Sequence, residues 1–334
     1  MAPSALHQNH ILTVTNEKQE CETADKTALQ AISKGVCLPG IPIFNDFEKQ
    51  RHWMLEHMAL AFQVFARKGT PTPTPTSHSH TFPLLFVLAF IANLTLSLNT
   101  GFTEGMSGHI SVRDPENPHT FWTNPLGQFF GLLQPSDMIL VDYSGSPIGG
   151  NTSLPANAAG FQIHSAVHKA RPDVIAACHT HSKAGKAWSA FSRRLEMLNQ
   201  DVTHFYGDAQ AVYSEFGGVV FDEAEAQRLA TALGKKGKGM ILRNHGLFTV
   251  GKTVDEAAYL FMLMERSCEV QLLVEAAAAN GIAKVYVDDE VAEYTHRMTS
   301  DSETLYCEFQ PDLHWELECS AGNRERRLRG IVGA

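Results

Sequence analysis

The segment IAACHTHSKAGKAW holds His179 and His181 with a single residue between them. In an extended chain, residues i and i+2 point to the same face, so a strand ending here presents two imidazoles side by side. Paired imidazoles suit a zinc-type ion, which takes four N, O or S ligands in a tetrahedral arrangement. His245, in LRNHGLF, offers a third ring from another strand end, beside a glycine that lets the backbone turn sharply. Three histidines with the fourth position open describe a catalytic zinc site rather than a structural one. An isolated HxH is equally compatible with hydrogen-bonded surface or core histidines. The NHG at a second strand end is what favours the metal.

The elements that must position these rings follow from periodicity. VIAACHTH reads as a strand of small and apolar residues, and AGKAWSAFSRR as the helix after it. GMILRNHGLFTVG reads as a strand, a tight turn at glycine and a second strand. Upstream, HISVRDP alternates as a strand, FWTNPLG ends in turn chemistry, DMILVDYSG is a buried strand and GFQIHSAVHKARP is a helix closed by Pro172. EAQRLATALGKKGK is a helix ending in glycine and lysines. A long helix begins at the capping pattern Thr253 to Glu256 and stops at Gly281. An earlier helix, with apolar residues recurring from Phe47 to Phe65, is capped by Asn45 or Asp46. Strands and helices alternate without GxGxxG or GxxxxGK[ST], which predicts a layered α/β domain with a largely antiparallel sheet.

Bulk properties bound the rest. The 334 residues carry a net charge of −9, with 44% hydrophobic and 19% charged residues, as in soluble globular proteins. No basic face is implied, so nucleic acid is not an expected partner. Six scattered cysteines without a CxxC pair predict neither a disulfide framework nor a cysteine zinc site, and the start of the chain lacks a secretory pattern. A reducing, cytoplasmic setting is the expectation. Residues 1–40 read as a disordered tail, 41–282 as the main domain and 283–334 as a C-terminal extension with a helix and then an extended segment. Residues 70–100 are anomalous: a Thr-Pro repeat precedes an apolar run of sixteen residues from Pro83 to Leu98. A spanning helix needs about 20 apolar residues, so a membrane anchor is not expected.

RPDVIAACHTHS, NHGLFTVGKTVDEA, GMSGHISVRDP and TNPLGQFFGLLQPSDMILVD together resemble the class II aldolase/adducin family over roughly residues 45–282, without the anomalous block. The resemblance implies an α/β/α sandwich around a mainly antiparallel sheet and a cyclic homotetramer with sites near subunit interfaces. It also implies a zinc ion on His179, His181 and His245. The block at 70–100 then reads as an insertion between helix and loop, with the character of translated non-coding sequence. The sugar-phosphate aldolases of the family carry a catalytic Glu where this chain has Gly160, and Asn where it has His109. Their phosphate-binding serines are replaced by NAAG. These departures imply a small, unphosphorylated hydroxy-carbonyl substrate, and a proton-transfer group located elsewhere.

Glu104 and His109, in the glycine-rich loop, are the first candidates for that group. His204 and Tyr206, in LNQDVTHFYGDAQ with Asp201, form a second polar cluster. His164 and His168, at i and i+4 on a helix, have the spacing of a metal pair, but the better ligands are already placed. The lyase reading competes with a non-catalytic, adducin-like assembly module, which Gly160 would favour. The adducin-like branch is the expectation for the chain's place in the family.

Overall fold

All but one of the strand pairings are antiparallel in a single eight-stranded sheet, which the helices cover on both faces. This computed structural model describes residues 27–68, 101–218 and 223–320. The strands are β1 (His109–Arg113), β2 (Thr120–Thr123), β3 (Ile139–Asp142), β4 (Pro147–Gly150), β5 (Ala176–Thr180), β6 (Gln210–Tyr213), β7 (Gly239–Leu242) and β8 (Gly246–Gly251). Their order is β4-β3-β2-β1-β5-β8-β7-β6, and only β6 and β7 are parallel. The helices are α1 (Ala28–Ile32), α2 (Phe47–Lys68), α3 (Ala158–Ala170), α4 (Lys183–Ser189), α5 (Glu223–Leu233), α6 (Val254–Ala278), α7 (Asp289–Thr299) and α8 (Ser302–Ser320).

The expected α/β/α sandwich is what forms. On one face, Met58, Phe62 and Phe65 of α2 pack with Phe261 of α6, Phe309 of α8 and Ile110, Cys178 and Leu247 of the sheet. On the other, Ile163 and Val167 of α3 and Leu229 and Leu233 of α5 cover Ala177, Met240, Phe248 and Val250. Each large apolar side chain so buried contributes about 1.5–3 kcal/mol. With both faces covered, β1 is buried at all five positions rather than alternating as HISVRDP implied.

Local chemistry sets the helix starts. Asp46 takes the Lys49 N–H at 2.9 Å and caps α2. Thr253 takes the Glu256 N–H at 3.1 Å, but the return half of the expected box is displaced by one residue: Glu256 accepts from Lys252 N–H at 2.8 Å. Two weak strands, β4 and β6, were not anticipated. β4 opens on a proline and lies at the sheet edge, where a missing N–H is tolerated.

The C-terminal extension departs from expectation. Its second part is helix α8, not an extended segment, despite Pro311 within it. Leu305, Phe309 and Leu313, spaced by four, bury against the α2 and α6 layer. Asp301 caps the start by accepting from Thr304 N–H at 3.1 Å and its hydroxyl at 2.6 Å. Arg67 of α2 clasps Asp312 and Glu316. This packing outweighs a penalty of about 3 kcal/mol for an internal proline. Part of the expected N-terminal tail is also structured: Thr27 caps α1, and Leu29 buries against Tyr306 and Cys307.

The block at 70–100 lies outside the described residues, but the chain on either side of it is informative. The Phe102 N–H donates to Phe65 O at 2.9 Å, so the chain returns onto the last turns of the helix it left. Gly101 has φ +49°, and a Cβ there would lie 2.6 Å from Phe65 O, so this close return needs glycine. No helix among the described residues is long and apolar enough to cross a membrane.

Candidate metal centre

β5 ends at Thr180, so His179 is its penultimate residue and His181 follows the strand directly. His179 pairs across the sheet with Phe248 of β8 and His109 of β1. His245 enters from the turn joining β7 to β8. That turn is shaped by Asn244 in the left-handed region (φ +53°), a conformation asparagine tolerates, and is pinned by Asn244 N–H to Ser189 O at 3.2 Å. Gly246, the glycine of NHG, also has a positive φ of +159°, and a Cβ there would lie 3.0 Å from Thr180 O, so the asparagine and the glycine shape the turn together.

The three rings converge. Their centroids lie 5.3, 4.7 and 4.9 Å apart, and one ligand nitrogen from each falls within 4.8 Å of the others. The His179 Nδ1–H donates to Leu247 O at 2.7 Å, which fixes the tautomer and leaves Nε2 as the ligand atom. Burial lowers the pKa of all three rings, with His245 brought to about 4, and their mutual charge repulsion adds to the effect at His179 and His245. Neutral imidazoles with free lone pairs are what a divalent ion requires. The donor set fits zinc and leaves room for a fourth ligand.

The segment that follows His181 is held by Glu265 of α6, a role the sequence did not disclose. Its carboxylate accepts from the Ser182 hydroxyl and from the N–H groups of Ala184 (2.7 Å) and Gly185 (2.6 Å), capping α4 directly after the ligand. Glu265 stands in the polar stretch MERSC of a long helix, where an acid is ordinary, so no local pattern marked it.

Of the proton-transfer candidates, two sit beside this centre. Glu104 is exposed in the loop before β1, ion-paired with Lys186, which lowers its pKa, and close enough to His181 to affect its charge. His109 opens β1 and is buried, with its pKa pushed down to about 4 by desolvation. Asn157 faces its ring, and its nitrogens otherwise have no hydrogen-bond partner among the described residues.

The relation between His109 and Gly160 was not legible in either residue separately. A Cβ built on Gly160, in the first turn of α3, would overlap Cε1, Nδ1 and Nε2 of His109. The imidazole occupies the space that any side chain at 160 would fill. The two departures noted in the sequence are therefore one exchange.

The other candidates are not brought to the centre within the chain. The His204 Nδ1–H donates to Asp201 O at 2.9 Å and the ring neighbours Tyr259, while Tyr206 lies near Asp289 and Glu293 of α7. Their segment packs through Val202 and Phe205 on the α2/α6 face, opposite the face on which His179 lies with Phe248. His164 and His168 do share a helix face, but both bind the Ser111 hydroxyl, and no third metal ligand joins them among the described residues.

Comparisons with known proteins agree with this architecture. Residues 91–272 match the model of the Class II Aldolase and Adducin N-terminal domain. The chain is 38% identical over 286 residues to the Meiotically up-regulated gene 14 protein of Schizosaccharomyces pombe, covering 86% of this chain and 97% of that protein. It is 39% identical to Decarboxylase NovR of Streptomyces niveus, covering 82% and 87%. Among solved structures, L-fuculose 1-phosphate aldolase from Glaciozyma antarctica PI12 superposes with a TM-score of 0.67 at 36% identity, covering 85% of this chain and 95% of that one. Similarity to rat alpha-adducin is narrower, 32% over 189 residues and 25% of its length, so the matches do not single out the adducin branch. With its fold, its three convergent histidines and these relatives in agreement, the chain belongs to the class II aldolase/adducin family.

Proposed function

We propose that this protein is a zinc-dependent lyase that breaks a carbon–carbon bond next to a carbonyl, by retro-aldol cleavage or decarboxylation, in a small unphosphorylated hydroxy-carbonyl or keto-acid compound. The observation that carries the reading is the convergence of three neutral imidazoles with one tautomer fixed by Leu247 O. His179, His181 and His245 would hold the ion, which when bound supplies Lewis acidity toward a chelating substrate. His109, neutral and beside the centre, is the group placed to take or return a proton where relatives in the family use a carboxylate. Glu104 and Lys186 form a charged pair at the edge of the same region and orient a polar substrate.

The unphosphorylated substrate is argued from His109, which stands where the sugar-phosphate aldolases of the family carry Asn, and from NAAG in place of their phosphate-binding serines. Relatives named as a decarboxylase and as an aldolase support cleavage beside a carbonyl. We further propose a homotetramer in which a second copy covers the apolar surface of Met106, Phe129 and Leu132, all exposed in one chain. An assembly module without catalysis draws on Gly160, but leaves the convergence of three ligand nitrogens unexplained.

The test is turnover by zinc-loaded protein of an aryl-substituted 2-oxo acid, a 4-hydroxy-2-oxo acid and L-fuculose 1-phosphate, read by carbon dioxide release and aldehyde trapping. Cleavage of either unphosphorylated compound, lost in His179→Ala, supports the proposal. Turnover of the phosphate ester alone, or of none while zinc is bound, counts against it.

A further inference from the structure

Behind His109 runs a buried polar chain that the metal centre does not account for. Ser111 lies two residues along β1, on the same face as His109. Its hydroxyl is 2.6 Å from His164 Nδ1 and 2.8 Å from His168 Nε2, the two rings one turn apart on α3. His168 Nδ1 lies 3.3 Å from Arg113 Nη2 and 3.4 Å from Val174 O. All four side chains are buried.

Hydrogen counting restricts this chain to two arrangements. A hydroxyl has one proton, so Ser111 donates to one ring and accepts from the other. A neutral imidazole has one N–H, and burial keeps both rings neutral by lowering their pKa values. Arginine only donates and a carbonyl only accepts. If His168 Nδ1 is bare and accepts from Arg113, its Nε2–H donates to Ser111, Ser111 donates to His164 Nδ1, and His164 carries its proton on Nε2. If His168 Nδ1–H donates to Val174 O, every bond reverses and His164 Nε2 is bare.

Arg113 decides between them. Its guanidinium repels an N–H dipole and attracts a lone pair at Nδ1. Val174 O already accepts from Arg113 Nε at 3.2 Å, so it does not need His168. We infer that Arg113, His168 and Ser111 form a positioning relay that locks His164 as the Nε2–H tautomer, a fixed hydrogen-bond donor in the buried wall beside His109. His164 Nε2 has no partner among the described residues, and the His109 ring is a neighbour at 5.7 Å between centroids. A buried donor left unpaired costs about 1–3 kcal/mol, so this wall selects an acceptor: a lone pair of His109 or a carboxylate or carbonyl oxygen of a ligand. It rejects a donor.

The relay is independent of metal and of substrate, and its test needs neither. Long-range proton–nitrogen NMR on imidazole-labelled, metal-free protein reads each tautomer, with His164 and His168 assigned by loss of signal in His164→Gln and His168→Gln. Both rings are expected as Nε2–H. In Ser111→Ala, His168 is expected to stay Nε2–H while His164 loses its single tautomer. Nδ1–H on both rings of the parent protein overturns the inference, as does a His164 tautomer indifferent to Ser111→Ala. Should that variant not fold, the parent spectrum alone decides, because the two arrangements differ at both rings.

Discussion

Replacing Gly160 by alanine tests the exchange between Gly160 and His109 through the sign of a stability change. Gly160 lies in the first turn of α3, and its backbone is helical. At an unobstructed helical position, glycine to alanine stabilises by about 0.8–1 kcal/mol. Here the new methyl overlaps the His109 ring, which is 6% exposed and enclosed by neighbours. Forcing extra volume into a packed interior costs about 1–3 kcal/mol, so the net expectation is a loss on the order of 1 kcal/mol. In a His109→Ala background the obstruction is gone, and Gly160→Ala should stabilise by about the propensity difference. The two substitutions should then couple by on the order of 1–3 kcal/mol, far outside the additivity of independent sites. Urea unfolding of the four proteins, metal-free and at one protein concentration, measures this, provided the m values agree. A stabilising Gly160→Ala in the parent protein, or additive effects, would refute the claim that the ring fills this space.

Acid should destabilise the metal-free protein through its buried imidazoles. His168 is held at about 3 against an ordinary 6.5, so the unfolded chain binds protons that the folded chain refuses between those values. Stability is therefore full above pH 6.5 and declines as pH falls towards 3; a flat melting temperature over pH 4–6.5 would contradict the burial argument. Glu265→Ala strands three donors at the start of α4, and should cost several kcal/mol at about 1–3 kcal/mol per unpaired group while weakening zinc affinity through His181, measurable by competition with a chelator. Deleting residues 70–100, so that Gly69 meets Gly101, should leave the circular dichroism spectrum intact, since Phe102 already bonds to Phe65. Unfolded protein after this deletion would show the block to be integral to the fold.

The sequence disclosed those features in which one residue type carries the signal. His179 and His181 sit at strand spacing, and His245 stands at the next strand end, so the centre was legible from periodicity and ligand chemistry. The sandwich followed from alternating elements and the family motifs. What stayed hidden depends on contacts between distant positions. Gly160 looked like a simple loss until the His109 ring was found in its place. Ser111 is an unremarkable strand serine until α3 brings two imidazoles to it. Pro311 argued against a helix that burial of Leu305, Phe309 and Leu313 nevertheless secures. His204 and Tyr206 had suitable chemistry but lie on the other face of the sheet, which no local pattern reveals.

The central claim is that three imidazoles from two strand ends bind one divalent ion. Elemental analysis after dialysis against zinc and then buffer tests it most directly, comparing the parent chain with the His179→Ala/His181→Ala variant. One ion per parent chain and none in the variant is the expected result. A parent chain that emerges without zinc, or a variant that retains it, would contradict the account.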